Sequence, residues 1–396
     1  MITLAPKELC CGCTACAAVC PHHCIQLKAD DEGFLYPRID HEQCVSCGRC
    51  EEVCPTIRPQ EEREPADTLA TAHTDAEIRL ESSSGGLFTA LAEETIRQGG
   101  IVFGARFDER FQLVHSYTDT IEGLAAFRGS KYVQSDLGES FRKAKEFLRA
   151  GRKVLFSGTG CQIAGLRACL GRPYEELLTL DILCHGVASP AVWKSYLQQC
   201  IVQTDEKMER LRDVDFRDKR NGWKAYGFQL DFTDKEVFVS QADNHYMKGY
   251  FANLYLRPSC HHCPFRRFGC GSDLTTGDCW GIEQHHVLPE CNDDKGMNVV
   301  FVHSAKGELA LKEVADKLHS AHISYRTLEK KNPAILHCAT PHPQRAEFFR
   351  RWRTGESLIS LIDLYTRPSL QKRTETFFTP LLKALGIKGF TNRFRK

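Results

Sequence analysis

The chain has 396 residues, 42% apolar and 26% charged, with a formal net charge of +1. That is enough for two to three domains with buried cores, and the balanced charge excludes a general nucleic-acid binder, which would carry a basic stripe. Twenty cysteines, about 5% of the chain, are too dilute for a small disulfide scaffold and too rich for an ordinary enzyme, which suggests metal.

The opening, MITLAPKELC, lacks a basic start, an apolar core and a small-residue cleavage site. No apolar run approaches the ~18 residues that cross a bilayer. A cytoplasmic chain with reduced thiols and no integral membrane segment is therefore expected.

The first unit carries the densest signal. Cys10, Cys13, Cys16 and Cys20 are followed by Pro21, and the same C-x2-C-x2-C-x3-C-P pattern recurs as Cys44, Cys47, Cys50, Cys54 and Pro55. Zinc usually takes cysteine pairs separated by a dozen or more residues. This run instead wraps three thiolates around one face of a cubane and sends the fourth to a neighbouring cluster. The spacing predicts one 4Fe-4S cluster on Cys10, Cys13, Cys16 and Cys54, and a second on Cys44, Cys47, Cys50 and Cys20. Each proline turns the chain away after the crossing cysteine. Cys11 and Cys24 are spare. Between the runs, IQLKADDEGFLYPRID reads as strand, turn at Asp30 to Gly33, and strand. Residues 1–60 thus resemble a bacterial-type two-cluster ferredoxin, which transfers electrons but has no site for organic chemistry.

Charge, with Pro59 just before and Pro65 within, marks residues 61–80 as a linker. Ser82 to Gly86 then form a small-residue loop before a helical pattern at Leu87 to Gln98 and a strand at Ile101 to Phe107. A second such unit has a strand at Val154 to Ser157, a turn at Gly158 to Cys161 and a helix at Gln162 to Leu170. Turns of this kind offer free backbone N–H groups to a phosphate, although they also serve as simple caps. Two such units predict an α/β domain with a largely parallel sheet, giving an α+β chain overall. Gly158, Gly160 and Asp181 make a nicotinamide-dinucleotide site a minority option, because Ile163 stands where that fingerprint wants glycine or alanine. Ser189 caps a helix begun by Pro190 whose apolar stripe is core. Arg217, Lys219 and Arg220 are candidates for an anionic substrate, with solvated turn charges the simpler reading. From Arg367 onward the chain is basic, and a basic tail is expected over 346–396.

Five blocks, SSSGGLFTALAEE, FRGSKYVQSDLG, VLFSGTGCQIAGLRACL, DILCHGVASPAVWKSYL and CHHCPFRRFGCGSDLTTGDCWGIE, occur in this order. In that order they resemble the coenzyme F-420 hydrogenase/dehydrogenase beta-subunit family, over residues 80 to about 345. One departure is Gly-Thr-Gly-Cys at 158–161, where the family usually has Gly-Thr-Pro-Cys.

The resemblance implies an iron-sulfur flavoprotein: a domain over 81–345 binding FAD and a third 4Fe-4S cluster. It favours Cys161, Cys184, Cys260 and Cys263 as ligands, with Cys270 the rival to Cys161. It also makes Ser84, Gly85 and Gly86, Gly158, Thr159 and Gly160, and Lys131, Tyr132 and Gln134 the flavin contacts. The expected activity is an oxidoreductase passing electrons between clusters and FAD, to or from a small organic substrate or a deazaflavin coenzyme. A ferredoxin or another oxidoreductase subunit would be the redox partner. No acid/base constellation is evident and the catalytic residues are unassigned, which keeps a non-catalytic electron-transfer subunit and a cluster-linked NAD(P) oxidoreductase as alternatives.

Overall fold

A computed structural model of the chain describes residues 2–367. Residues 368–396, most of the basic tail, lie outside the described residues.

The first unit is small. Its strands β1 (Ile25–Ala29) and β2 (Leu35–Ile39) pair antiparallel from Ile25 opposite Ile39 to Ala29 opposite Leu35. The turn between them is held by the Asp30 carboxylate, which accepts from the N–H groups of Glu32 and Phe34. One-turn helices at Ala15–Ala18 and Arg49–Glu52 repeat the same geometry in the two cysteine runs.

The second unit is built on an eight-stranded sheet. Its strands are β3 (Asp67–His73), β4 (Ile101–Phe107), β5 (Leu113–Thr118), β6 (Val154–Thr159), β7 (Leu177–Ile182), β11 (Leu274–Asp278), β12 (Asn298–Val302) and β13 (Leu318–His322). They lie in the order β13-β3-β12-β11-β7-β6-β4-β5. Three neighbouring pairs, β4–β6, β6–β7 and β7–β11, are parallel. The pairs joining β12, β13, β3 and β5 are antiparallel, so the sheet is mixed where a largely parallel one was expected.

The expected linker also needs correction, because β3 falls inside it and lies between β12 and β13. Its residues are small and polar, yet they alternate between two cores. Ala70 and Ala72 join Val299 and Phe301 on one face, and Leu69 packs with Val300 and Val302 on the other.

β8 (Leu211–Asp218), β9 (Gly227–Phe232) and β10 (Glu236–Ser240) form a separate antiparallel sheet. The helix Pro190–Gln203, capped by Ser189 onto the Val192 N–H, lays Trp193, Tyr196 and Leu197 into the same core as Phe216 and Phe228. Helices Arg345–Arg353 and Leu358–Thr366 add Phe348, Phe349, Leu361 and Ile362 to that core. The stretch expected as tail from 346 therefore starts as packed structure, its apolar stripe hidden in sequence among arginines.

Two features position the functional site. β3 runs antiparallel to β12, and β12 antiparallel to β11, so β3, β4, β6, β7 and β11 all end at one edge. Ligand sites of α/β sheets form at that carboxyl edge. The cysteine-rich unit also docks on the helix Gly160–Leu170. A Cβ on Gly165 would stand 3.0 Å from Cys13 Sγ. Glycine inside a helix costs about 1 kcal/mol relative to alanine, and here its missing side chain admits the thiol. The half-buried pair Arg345–Glu32, at 2.6 Å, and the Ser189 hydroxyl, donating to the Glu32 carbonyl, fix the hairpin against the larger unit. Among the described residues no helix is long and apolar enough to cross a membrane.

Candidate metal centres

The cysteines gather in three places. Cys16 faces Cys10 and Cys54, while Cys13 lies against the helix that carries Gly165. Cys20, Cys44, Cys47 and Cys50 line one apolar cavity of about 330 Å³ of empty space. Cys24, a spare thiol in sequence, lines it too, with its Sγ 3.3 Å from that of Cys20.

Cys161, Cys184, Cys260 and Cys263 line a larger cavity, about 710 Å³ including its mouth. They arrive from the first turn of Gly160–Leu170, the end of β7 and the 3-10 turn Pro258–His262. Cys270 is buried against Asp181 and Ser272 instead and is not among the lining residues. His261 turns its Nδ1 to the Ala339 carbonyl, 2.7 Å away. Cys11, the other spare thiol, also lines this cavity, lying between Cys13 and Cys161.

A single ion does not suit these groups. Tetrahedral zinc at about 2.3 Å from each sulfur brings ligand atoms to about 3.8 Å of one another. Among the described residues the trio whose donor atoms all lie within 4.8 Å is Glu290, Cys291 and His319. The cysteine quartets are more open, as a cubane requires. Burial pushes the Cys260 thiol up to about 11 and the Cys263 thiol up to about 12. A metal core that replaces the protons makes thiolates tenable there.

The loop before Leu87–Arg97 has the character of an anion cradle. Ser84, Gly85 and Gly86 are buried. Their carbonyl side is engaged: Ser83 O accepts from Arg217, Ser84 O from Lys219 Nζ at 2.8 Å, and Gly85 O from the His73 N–H. Among the described residues the N–H groups of Ser83 to Gly86 find no acceptor. Buried unpaired backbone donors are rare, and several together at a helix N-terminus suit a phosphate.

The two cations that hold this loop are buried, not solvated turn charges. Arg217 is paired with Asp278 at 2.9 Å and lies 4.0 Å from the centre of the Tyr226 ring. Lys219 also donates to the carbonyls of Arg79 and Lys295, and burial lowers its ammonium to about 7. Arg220 alone is exposed, on Asp218 and Glu236. Only a three-dimensional fold could show that Arg217 and Lys219 point inward.

The other expected contacts are spread along the same edge. Ser130 N–H donates to Ser83 Oγ, joining the RGSKY segment to the cradle. Tyr132 accepts from Arg217 at 3.2 Å. Lys131 turns to the carbonyls of Arg128 and Gly129, and burial lowers it to about 8. Gln134 instead faces the cysteine-rich unit and donates to Cys11 O at 3.0 Å. Thr159 forms a reciprocal cap with Gln162, and Gly160 sits against Phe265 and Cys270 at the larger cavity. Asp181 is buried at the wall of the larger cavity, with one oxygen accepting from Ser272 and Thr275.

Fold and site together define an iron-sulfur electron-transfer protein: a 4Fe-4S cluster-binding unit docked on an α/β domain. Residues 9–57 match the 4Fe-4S dicluster domain model, and residues 151–324 match the model for the carboxy-terminal part of the coenzyme F420 hydrogenase/dehydrogenase beta subunit. The resemblance read from the sequence over residues 80 to about 345 is thus matched by a family model across residues 151–324.

The chain is 21% identical to the F subunit of F(420)H(2) dehydrogenase from Methanosarcina mazei over 323 residues, 78% of this chain and 84% of that protein. It is 39% identical to the I subunit of NADH-quinone oxidoreductase from Pelobacter propionicus over 57 residues, 12% of this chain and 31% of that protein. A chain in a structure of the F420-reducing [NiFe] hydrogenase complex from Methanosarcina barkeri aligns with TM-score 0.46 and 21% identity, covering 69% of this chain and 89% of that one.

Proposed function

We propose that the chain is an FAD-dependent iron-sulfur oxidoreductase with three 4Fe-4S clusters. Cys10, Cys13, Cys16 and Cys54 hold the first, Cys20, Cys44, Cys47 and Cys50 the second, and Cys161, Cys184, Cys260 and Cys263 the third. The flavin pyrophosphate lies on the backbone donors of residues 83–86. The clusters exchange single electrons with a partner redox protein, and the flavin collects pairs for a small organic substrate or a deazaflavin.

One observation carries this reading: the third quartet and the unpaired N–H groups of residues 83–86 lie along one carboxyl edge of the sheet. A flavin lying along that edge would reach from the cradle after β3 toward the thiols after β6 and β7. The names of the relatives over both regions point the same way.

Anaerobic purification followed by iron and flavin analysis tests it. About twelve irons and one FAD per chain are expected from three cubanes. Iron for two clusters would remove the third, and a flavin-free chain would favour an electron-transfer subunit without its own organic chemistry.

A further inference from the structure

Arg257 is fully buried in the seam between the two units, and its backbone and side chain serve different cysteine groups. Its carbonyl accepts the Cys260 N–H at 2.9 Å, so its backbone belongs to the third quartet. Its guanidinium reaches the other way. Nε donates to Cys10 O at 2.7 Å, one terminal nitrogen to Gln134 Oε1 at 2.8 Å, and the other to Leu35 O at 3.0 Å, with Cys10 Sγ at 3.8 Å. The cation lies 4.2 Å from the centre of the Tyr36 ring.

Gly12 makes room for this contact. It has φ +69°, and a Cβ there would stand 2.8 Å from the guanidinium. Held this way, the segment 10–12 puts Cys11 between Cys13 of the first quartet and Cys161 of the third. The second quartet lies away from this seam, with Cys47 exposed. Arg49, which lines its cavity, is exposed as well.

We propose that Arg257 is a positioning residue that makes the Cys10 cluster the inner one: it docks that cluster on the third quartet and raises its reduction potential above that of the outer Cys47 cluster. This rests on the three-cluster reading above. A buried positive charge and an N–H directed at a ligand sulfur both favour the reduced, more negative cluster, and solvent exposure and hydrogen bonds to sulfur are what tune such potentials. A reduced inner cluster gives one electron to the oxidised third cluster, or takes one in the reverse direction, with no bond made or broken. The Cys47 cluster is left facing the external partner.

The test is a redox titration of the full-length, anaerobically purified chain, followed by electron paramagnetic resonance, in wild type, Arg257→Gln, Arg257→Lys and Gly12→Ala. One cluster signal moves to lower potential in Arg257→Gln and in Gly12→Ala, and by less in Arg257→Lys, which keeps the charge but not the planar fork. The moving signal persists when Cys47→Ser alters the outer cluster. Unmoved potentials in the variants that fold, or a moving signal that disappears with Cys47→Ser, would overturn the proposal. A wild-type chain short of about twelve irons counts against the three-cluster reading instead, and the Arg257 variants still report on the Cys10 cluster.

Discussion

In the first unit every cysteine of the two runs comes from within residues 10–54, and its own buried cluster is only Cys20, Cys24, Ile25 and Cys50, while Cys11, Cys13 and Ala15 pack into a core of the second unit. In the second unit Cys161, Cys184, Cys260 and Cys263 meet only because separate elements end at one edge, above cores anchored by Leu87, Leu155, Val300 and Trp193. The first unit is organised by what its thiols bind, and the second is organised before anything binds. A small unit without a core of its own draws folding free energy from its metal. A site built on a packed sheet does not.

Stripping iron with a chelator should break that comparison most sharply. Hydrogen exchange over residues 9–57 is expected to rise to nearly that of an unfolded chain, while the strands of the eight-stranded sheet stay protected. Equal loss of protection in both units would show that the larger domain also depends on metal. Next in size, Cys184→Ser is expected to remove about four irons of twelve and leave the thermal unfolding of the sheet nearly unchanged. Cys16→Ser is expected to remove a similar amount of iron and destabilise the whole first unit.

The same contrast explains what could be read without a structure. Ligand spacing is local, so the two N-terminal runs, the hairpin turn at Asp30 and the helix capped by Ser189 were legible in sequence. β3 was not, because DTLATAH is small and polar and becomes a strand only between β12 and β13, both from far along the chain. Arg217 and Lys219 sit in a charged, glycine-containing segment that reads as a solvated turn, and their burial depends on Asp278 and the loop at 83–86. Cys11 and Cys24 fit no spacing rule, yet each ends beside a quartet. No spacing signal marks them, since Cys24 meets its quartet through the fold of the first unit and Cys11 meets Cys161 only where the two units dock.

The cradle sharpens the comparison within the second unit, because it too is built without its ligand. Lys219→Met would leave the carbonyls of Arg79, Ser84 and Lys295 without their shared donor. Buried acceptors cost about 1–3 kcal/mol each when left unpaired, so a loss of roughly 3 kcal/mol or more is expected in urea unfolding. Flavin retention should fall with it, because the same ammonium turns the loop's N–H groups outward. Retained flavin at full occupancy would place the pyrophosphate elsewhere.

The smallest effect concerns Asp181, which lines the larger cavity and lies buried among Ser272, Thr275 and Cys270. Burial raises its carboxyl to about 6, against an ordinary 3.8. The folded chain thus binds this proton more tightly than the unfolded one. Stability from the neutral carboxyl is present below the ordinary value and is lost as pH rises through about 6. An asparagine in its place would keep the oxygen that Ser272 and Thr275 donate to, and it does not ionise. Asp181→Asn should therefore match wild type near pH 4 and exceed it by roughly 1–3 kcal/mol at pH 7 and above, measured as denaturant midpoints across that range. If the variant is instead weaker at neutral pH, the ionised carboxylate has a partner in the loaded cavity. In that case the charge at Asp181 belongs to the site's chemistry and not to the cost of burying it.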